Sequence, residues 1–393
     1  MKILVTGIAG YSHLAPFVLP AAAALRAAGH DVTVAVPAAA RDMVAEQGFT
    51  VLALDGVPAM GEVATDPPLR ADAFSVTDYQ PPAERYPFAG VAPSTRASAR
   101  AFVGVIGHRA ASALLDRLDG AVPDLVVRDN TEFGGYLVAE LLGCPQLTLD
   151  VAPMFEEDSP EVLEVVNALR AAHDLAPVDA LPRGPRLAQA PADFYPPARR
   201  APDLHCFRPG PHGHAPLDPA IADLPADRPL VLASLGSVAP ASGIATDLLD
   251  RIVDALGALD VYAVVATGPH EVRTPPPSVI LTDFVDQRTV LATCDAFVTH
   301  GGFNSVRESL QAGVPMVALP LFGDHPPNAE RVEQLGAGIT LPPADATAGE
   351  IAAATEKVLG DTGFRRHARR FARRSSALPD LAAFPALLPE ILA

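Results

Sequence analysis

Apolar residues in this chain come in short runs, each closed by glycine or a polar pair and followed by a longer stretch with helical spacing. The run KILVT at residues 2–6 enters a glycine-containing loop. Residues 16–28 then keep helical spacing, Gly29 stops them, and DVTVAV supplies the next apolar run. Strand, helix and strand in that order predict a βαβ unit. The same order returns with a strand at 124–128, a helix at 132–142, a stop at Gly143 and a strand at 146–150, so the first half predicts a parallel sheet.

Residues 55–110 lack strict periodicity and predict loops and irregular helices, on the side of the sheet where α/β ligands bind. Residues 195–229 are too proline-dense for a long helix or a central strand, and read as an inter-domain linker. Alternation then restarts: PLVLASLGS, a helix at 246–258, VYAVVATG, SVILTDF, a short helix, DAFVTH, another helix and PMVALPL. This predicts a second Rossmann-like domain. An arginine-rich helix at 364–375 reads as a solvated face, and the tail after it is apolar but cut by prolines.

Composition narrows the function classes. The 393 residues exceed one ordinary core, and 49% hydrophobic against 19% charged residues argues for globular, ordered domains. A formal charge of −17 opposes broad attraction to nucleic acid or an anionic membrane, so any phosphate must be bound locally by backbone amides and a helix end. Cys144, Cys206 and Cys294 are odd in number and widely spaced, which fits reduced thiols in the cytoplasm. The apolar run 14–28 is broken by two prolines and Arg26, so it falls short of a membrane span.

The segment THGGFNSVRESLQAGVPMVALPLFGDHPPNAERV carries the most chemistry. An apolar strand ends at Thr299, Gly301 and Gly302 make a tight loop, and a helix starts near Asn304. Free N–H groups and the positive end of the helix then face whatever occupies the strand end, and a diphosphate suits them. His300, Asn304 and Ser305 add donors, and Glu308, one turn deeper, can accept ribose hydroxyls. Asp324 and His325 follow the next strand, where they would face a sugar. SLGS at 234–237 opens the second domain's first loop, with Ser237 able to bond a phosphate. In the first half, His13 follows strand one, where an imidazole can take a hydroxyl proton. Asp129 or Glu132 can orient it, and Asp129 can instead cap the helix.

On these motifs the chain resembles the family 1, UDP-glycosyltransferase-like enzymes, especially bacterial glycosyltransferases of natural products such as antibiotics, over nearly its whole length. The resemblance implies a GT-B fold, two Rossmann-like domains whose parallel sheets face across a cleft. It implies that His300, Gly302, Asn304 and Ser305 hold the diphosphate, Glu308 the ribose, and Asp324 and His325 the donor sugar. In LTDFVDQ it implies Phe284 stacked on the base, Val285 offering it backbone hydrogen bonds, and Gln287 reaching base or ribose. His13 and Pro16 match the family's Gly-His-x-x-Pro pattern, with Ser12 where glycine is usual, so His13 becomes the general base and Asp129 its orienting carboxylate. His325 stands where the family often has Gln, which leaves room for a deoxysugar on thymidine diphosphate.

The expected activity is therefore inverting transfer of a sugar or deoxysugar from UDP or TDP to a small aglycone hydroxyl. Neither cofactor nor metal is expected, since no Asp-x-Asp triplet occurs. The expected partners are the aglycone and the nucleotide sugar, without nucleic acid or membrane, and a homodimer is left open. The expected domains are 1–205 for acceptor binding, a linker at 206–228, 229–370 for the nucleotide sugar, and a tail at 371–393 packing back on the first domain. A nucleotide-sugar epimerase of the same fold and a non-catalytic auxiliary protein stay as alternatives. A nicotinamide oxidoreductase does not, because GIAGYSHLAP lacks the G-x-G-x-x-G spacing.

Overall fold

The computed structural model describes residues 1–65, 98–182, 184–200, 202–210, 215–236, 246–268 and 275–392. They fall into two compact units, one drawn from residues up to 210 together with 378 onward, the other from 211 to 377.

In the first unit seven parallel strands are described: β1 (Lys2–Thr6), β2 (Asp31–Pro37), β3 (Thr50–Leu54), β4 (Leu125–Asp129), β5 (Gln146–Leu149), β6 (Arg186–Ala188) and β7 (Leu204–Cys206). Their order is β3-β2-β1-β4-β5-β6-β7. The strand order reverses between β1 and β4, which pair in parallel from Ile3↔Leu125 to Thr6↔Arg128, so the loops after these two strands meet at a topological switch point. β4 is buried at all five positions, which is why it reads as a continuous apolar run interrupted only by Arg128 and Asp129.

Three sequence expectations need correction. Helix begins at Tyr11 rather than residue 16, because the Gly10 carbonyl accepts the N–H of His13 at 3.1 Å and of Leu14 at 3.0 Å. A wide π turn, Leu14–Val18, carries Pro16, which has no N–H to give, and leads into helix α1 (Leu19–Ala27). Helix α2 (Gly134–Leu142) starts two residues later than expected, since Glu132 spends its carboxylate on the N–H groups of Gly134 and Gly135. Finally, β6 and β7 are three-residue strands among prolines, too short to show a period.

The second unit repeats the plan with β8 (Leu230–Ser234), β9 (Tyr262–Ala266), β10 (Val279–Thr282), β11 (Ala296–Thr299), β12 (Met316–Ala318) and β13 (Gly338–Thr340), ordered β10-β9-β8-β11-β12-β13. Its switch point lies between β8 and β11. Helices α3 (Gln287–Leu291), α4 (Phe303–Ala312), α5 (His325–Gln334) and α6 (Thr362–Ser376) matter below or bound the unit. After α6, helix α7 (Phe384–Ile391) belongs to the first unit, where Leu381, Phe384, Leu388 and Ile391 enter its core. Phe384 packs edge-on to Phe207, and Arg208 and Pro379 share a backbone hydrogen bond of 2.9 Å.

Candidate active site

At the first switch point, His13 and Asp129 come together from positions far apart in sequence. His13 Nδ1 and Asp129 Oδ2 are 2.6 Å apart. The other carboxylate oxygen accepts the Thr131 N–H and hydroxyl, each at 2.8 Å. Asp129 is fully buried, which alone would raise its pKa, but the charge and hydrogen bond of His13, helped by Thr131, hold it below the usual carboxylate range. Glu132, the other carboxylate left open by the sequence, turns away from this pair. It accepts from Thr6 Oγ1 at 2.5 Å and from the N–H groups of Gly134 and Gly135 at 2.6 and 2.8 Å, so it caps α2. Burial raises its pKa against those hydrogen bonds.

Sequence reasoning missed Arg128. Its guanidinium is fully buried, donates to the carbonyls of Asp129, Asn130 and Glu132 at 3.2–3.4 Å, and pairs with Glu157 at 2.9 Å. It thereby pins the loop that presents Asp129. A lone arginine inside the apolar strand was the available signal, since a buried charge must be paired.

At the second switch point the ring of His300 lies between glycines. A Cβ on Gly302 would meet its Nε2 at 2.5 Å, and one on Gly236, whose φ is +75°, would meet the ring at 2.8 Å. Only glycine fits either place. Burial lowers the His300 pKa to about 4, although a Ser234 backbone hydrogen bond pulls the other way, so the ring is neutral near pH 7. Its Nδ1 is buried and has no hydrogen-bond partner among the described residues. Gly302 is also the N-cap of α4 and has no side chain to offer, so the first-turn amides of that helix, at half-buried Asn304 and buried Ser305, are not capped by it.

Glu308 is half-buried on α4 and already engaged. Gln287 Nε2 donates to it at 2.6 Å, Arg288 Nε at 3.1 Å and Arg307 at 3.4 Å, while the Ser305 hydroxyl donates to Gln287 Oε1 at 3.2 Å. The structure thus brings Gln287, Ser305 and Glu308 into one cluster, and adds Arg288 and Arg307, which sequence reasoning did not single out. Phe284 is 76% exposed, unlike an aromatic of the core, and Val285 beside it is half-buried. Asp324 stands at the N-cap position of α5, and its carboxylate accepts from the Asn328 side chain at 2.8 Å. His325 does not share its exposure: the ring is 6% exposed, packed 4.5 Å from the rings of both His300 and Phe322. Ser237 lies outside the described residues.

Residues 250–384 match the family described as "Erythromycin biosynthesis protein CIII-like, C-terminal domain". The L-demethylnoviosyl transferase of Streptomyces niveus is 31% identical, with all of this chain and 98% of that protein covered. The TDP-daunosamine transferase DnrS of Streptomyces peucetius is also 31% identical, over 94% of this chain and 92% of its own. Among solved structures, the glycosyltransferase SnogD from Streptomyces nogalater superposes with a TM-score of 0.75 at 24% identity, covering 100% of this chain and 99% of that one. With two parallel α/β sheets of matching order and relatives of this identity along the whole chain, the protein belongs to the family 1 natural-product glycosyltransferases and has their GT-B fold.

Proposed function

We propose that the enzyme moves a sugar or deoxysugar from a TDP- or UDP-linked donor to a hydroxyl of a small natural-product aglycone, with inversion and without a divalent cation. The observation that carries this reading is the 2.6 Å pairing of His13 Nδ1 with Asp129 at the switch point of the first sheet. Asp129 fixes the ring and favours a proton on Nδ1. Nε2 is then the atom that accepts the aglycone proton. As that proton leaves, the oxygen bonds the anomeric carbon, the bond from that carbon to the diphosphate oxygen breaks, and the electron pair departs with the nucleoside diphosphate. A single displacement from the opposite face inverts the centre.

The donor belongs to the second unit. Phe284 offers an exposed ring for base stacking, Val285 its backbone, and Glu308 with Gln287 the ribose contacts. The α4 amides at Asn304 and Ser305, with Ser237 and His300, take the diphosphate, and Asp324 the sugar. Negative charge beside the unpartnered Nδ1 of His300 makes a proton there favourable, so ring and helix end together stabilise the leaving group. The relative named for TDP-daunosamine supports TDP as the carrier.

The test is an assay of purified protein with TDP-glucose and UDP-glucose against an aglycone panel, with and without EDTA. Product mass, released nucleoside diphosphate and anomeric configuration are read. Transfer with inversion in EDTA, abolished by His13→Ala while donor binding persists, is expected. Retention, a metal requirement, or full activity in the variant overturns it.

A further inference from the structure

Position 325 combines three observations that do not suit a ligand contact. The imidazole is almost wholly covered, whereas its neighbour Asp324 is half-exposed. Its Nδ1 accepts the Phe322 backbone N–H at 3.3 Å, which sets the Nε2–H tautomer of a neutral ring. The ring also stands edge-to-face against His300, with centroids 4.5 Å apart and planes at 82°. Gly236 and Gly302 close two sides of the His300 ring. His325 supplies another wall, and its own backbone is packed against the loop, since a Cβ on Gly301 would lie 3.1 Å from the His325 carbonyl.

We propose that His325 is a positioning residue that holds the His300 imidazole in place for the donor diphosphate, and that it makes no contact with the donor sugar. The inference rests on the reading of the second unit as the donor site. Edge-to-face ring pairs have a preferred geometry, and a ring held on several sides loses little further freedom when it meets its ligand. Burial pushes the His325 pKa well below the usual histidine value, so the wall stays uncharged and does not repel a protonating His300.

The two roles separate by ligand. A sugar contact is felt only by a nucleotide that carries a sugar, whereas a misplaced His300 is felt by the diphosphate with or without one. Dissociation constants for TDP and TDP-glucose are measured by calorimetry for the wild type, His325→Ala and His325→Phe, with thermal unfolding midpoints as the fold control. His325→Ala is expected to weaken both ligands by the same factor, about fivefold to tenfold. His325→Phe keeps a ring against His300 and is expected to stay within about threefold of wild type for both, and it decides the matter if the alanine variant does not fold. A loss confined to TDP-glucose in either variant, or unchanged binding of both ligands by a folded His325→Ala, overturns the proposal. Wild-type protein that binds neither these ligands nor UDP and UDP-glucose refutes the donor-site reading itself, a distinct outcome.

Discussion

The two sheets share one strand order through six strands and each places its polar loops at the same switch point, yet they treat those polar groups in opposite ways. In the first unit the pair His13 and Asp129 is closed before any substrate arrives, with both carboxylate oxygens of Asp129 hydrogen-bonded and Arg128 bracing the loop from behind. In the second, a buried imidazole nitrogen has no partner among the described residues, the helix N-cap is a glycine, and a phenylalanine stands in solvent. A group that must hold a proton in a fixed geometry is preorganised by its own protein. A group that must grip an anion and a base is left for the ligand to complete. Glu308 shows the intermediate case, since Gln287 and Arg288 already engage the carboxylate that the proposed donor site assigns to the ribose.

This contrast can be broken most severely at Asp129. Asp129→Asn keeps the shape but removes the charge that fixes the His13 tautomer, and kcat should fall by about 10³–10⁴-fold while the Kd for TDP stays unchanged. Initial rates together with calorimetry check both halves of that statement. Next in size is Gly302→Ala, whose Cβ intrudes to 2.5 Å on His300. Overpacking of about 1–3 kcal/mol should appear as a Kd for TDP about 10- to 100-fold weaker, with the His13 pair undisturbed. Phe284→Ala sharpens the assignment of the exposed ring. A lost base stack of about 1–2 kcal/mol should weaken TDP by roughly tenfold, read by titration, and equal binding would remove the ring from the site.

The smallest effect is on stability in mild acid. The folded pKa of His300, about 4, lies below its ordinary value of 6.5, so between those values the unfolded chain takes up a proton that the folded chain refuses. Stability should therefore be flat in this respect above pH 6.5 and decline as pH falls toward 4. From pH 7 to 5.5 the loss is about 1 kcal/mol, a few degrees of unfolding midpoint. Asp129 works in another window: its depressed pKa contributes above the unfolded carboxylate value and is lost only as pH drops through the folded one. Replacing His300 with Phe should reduce the slope between pH 7 and 5.5 without abolishing it, because buried His325 also has a depressed pKa and adds a slope of the same sign. A slope that persists undiminished assigns it elsewhere.

Much of the fold was legible because strands such as Ile3–Val5 and Val231–Ala233 are buried on both faces, and that burial leaves continuous apolar runs ended by glycine. Short strands escaped for the converse reason: Arg186–Ala188 and Leu204–Cys206 pair through three residues each, too few for a period. The proximity of His300, Ser305 and Glu308 was legible because they fall within one stretch of about one strand and one helix, so spacing alone fixes their neighbours. Arg288 and Arg307 lie in the same region but were missed, since an arginine on a helix looks like a solvated face until its carboxylate is seen.

Sequence by itself determined the two α/β halves, the polar residues at their strand ends, and the residue types suited to a base and an anion cradle, because periodicity and local spacing are written along the chain. Only the tertiary structure decided between Asp129 and Glu132, exposed Phe284, and buried His325 behind His300. Those outcomes depend on which side chain a fold brings within hydrogen-bond reach from 116 residues away, and on which faces neighbouring elements happen to cover.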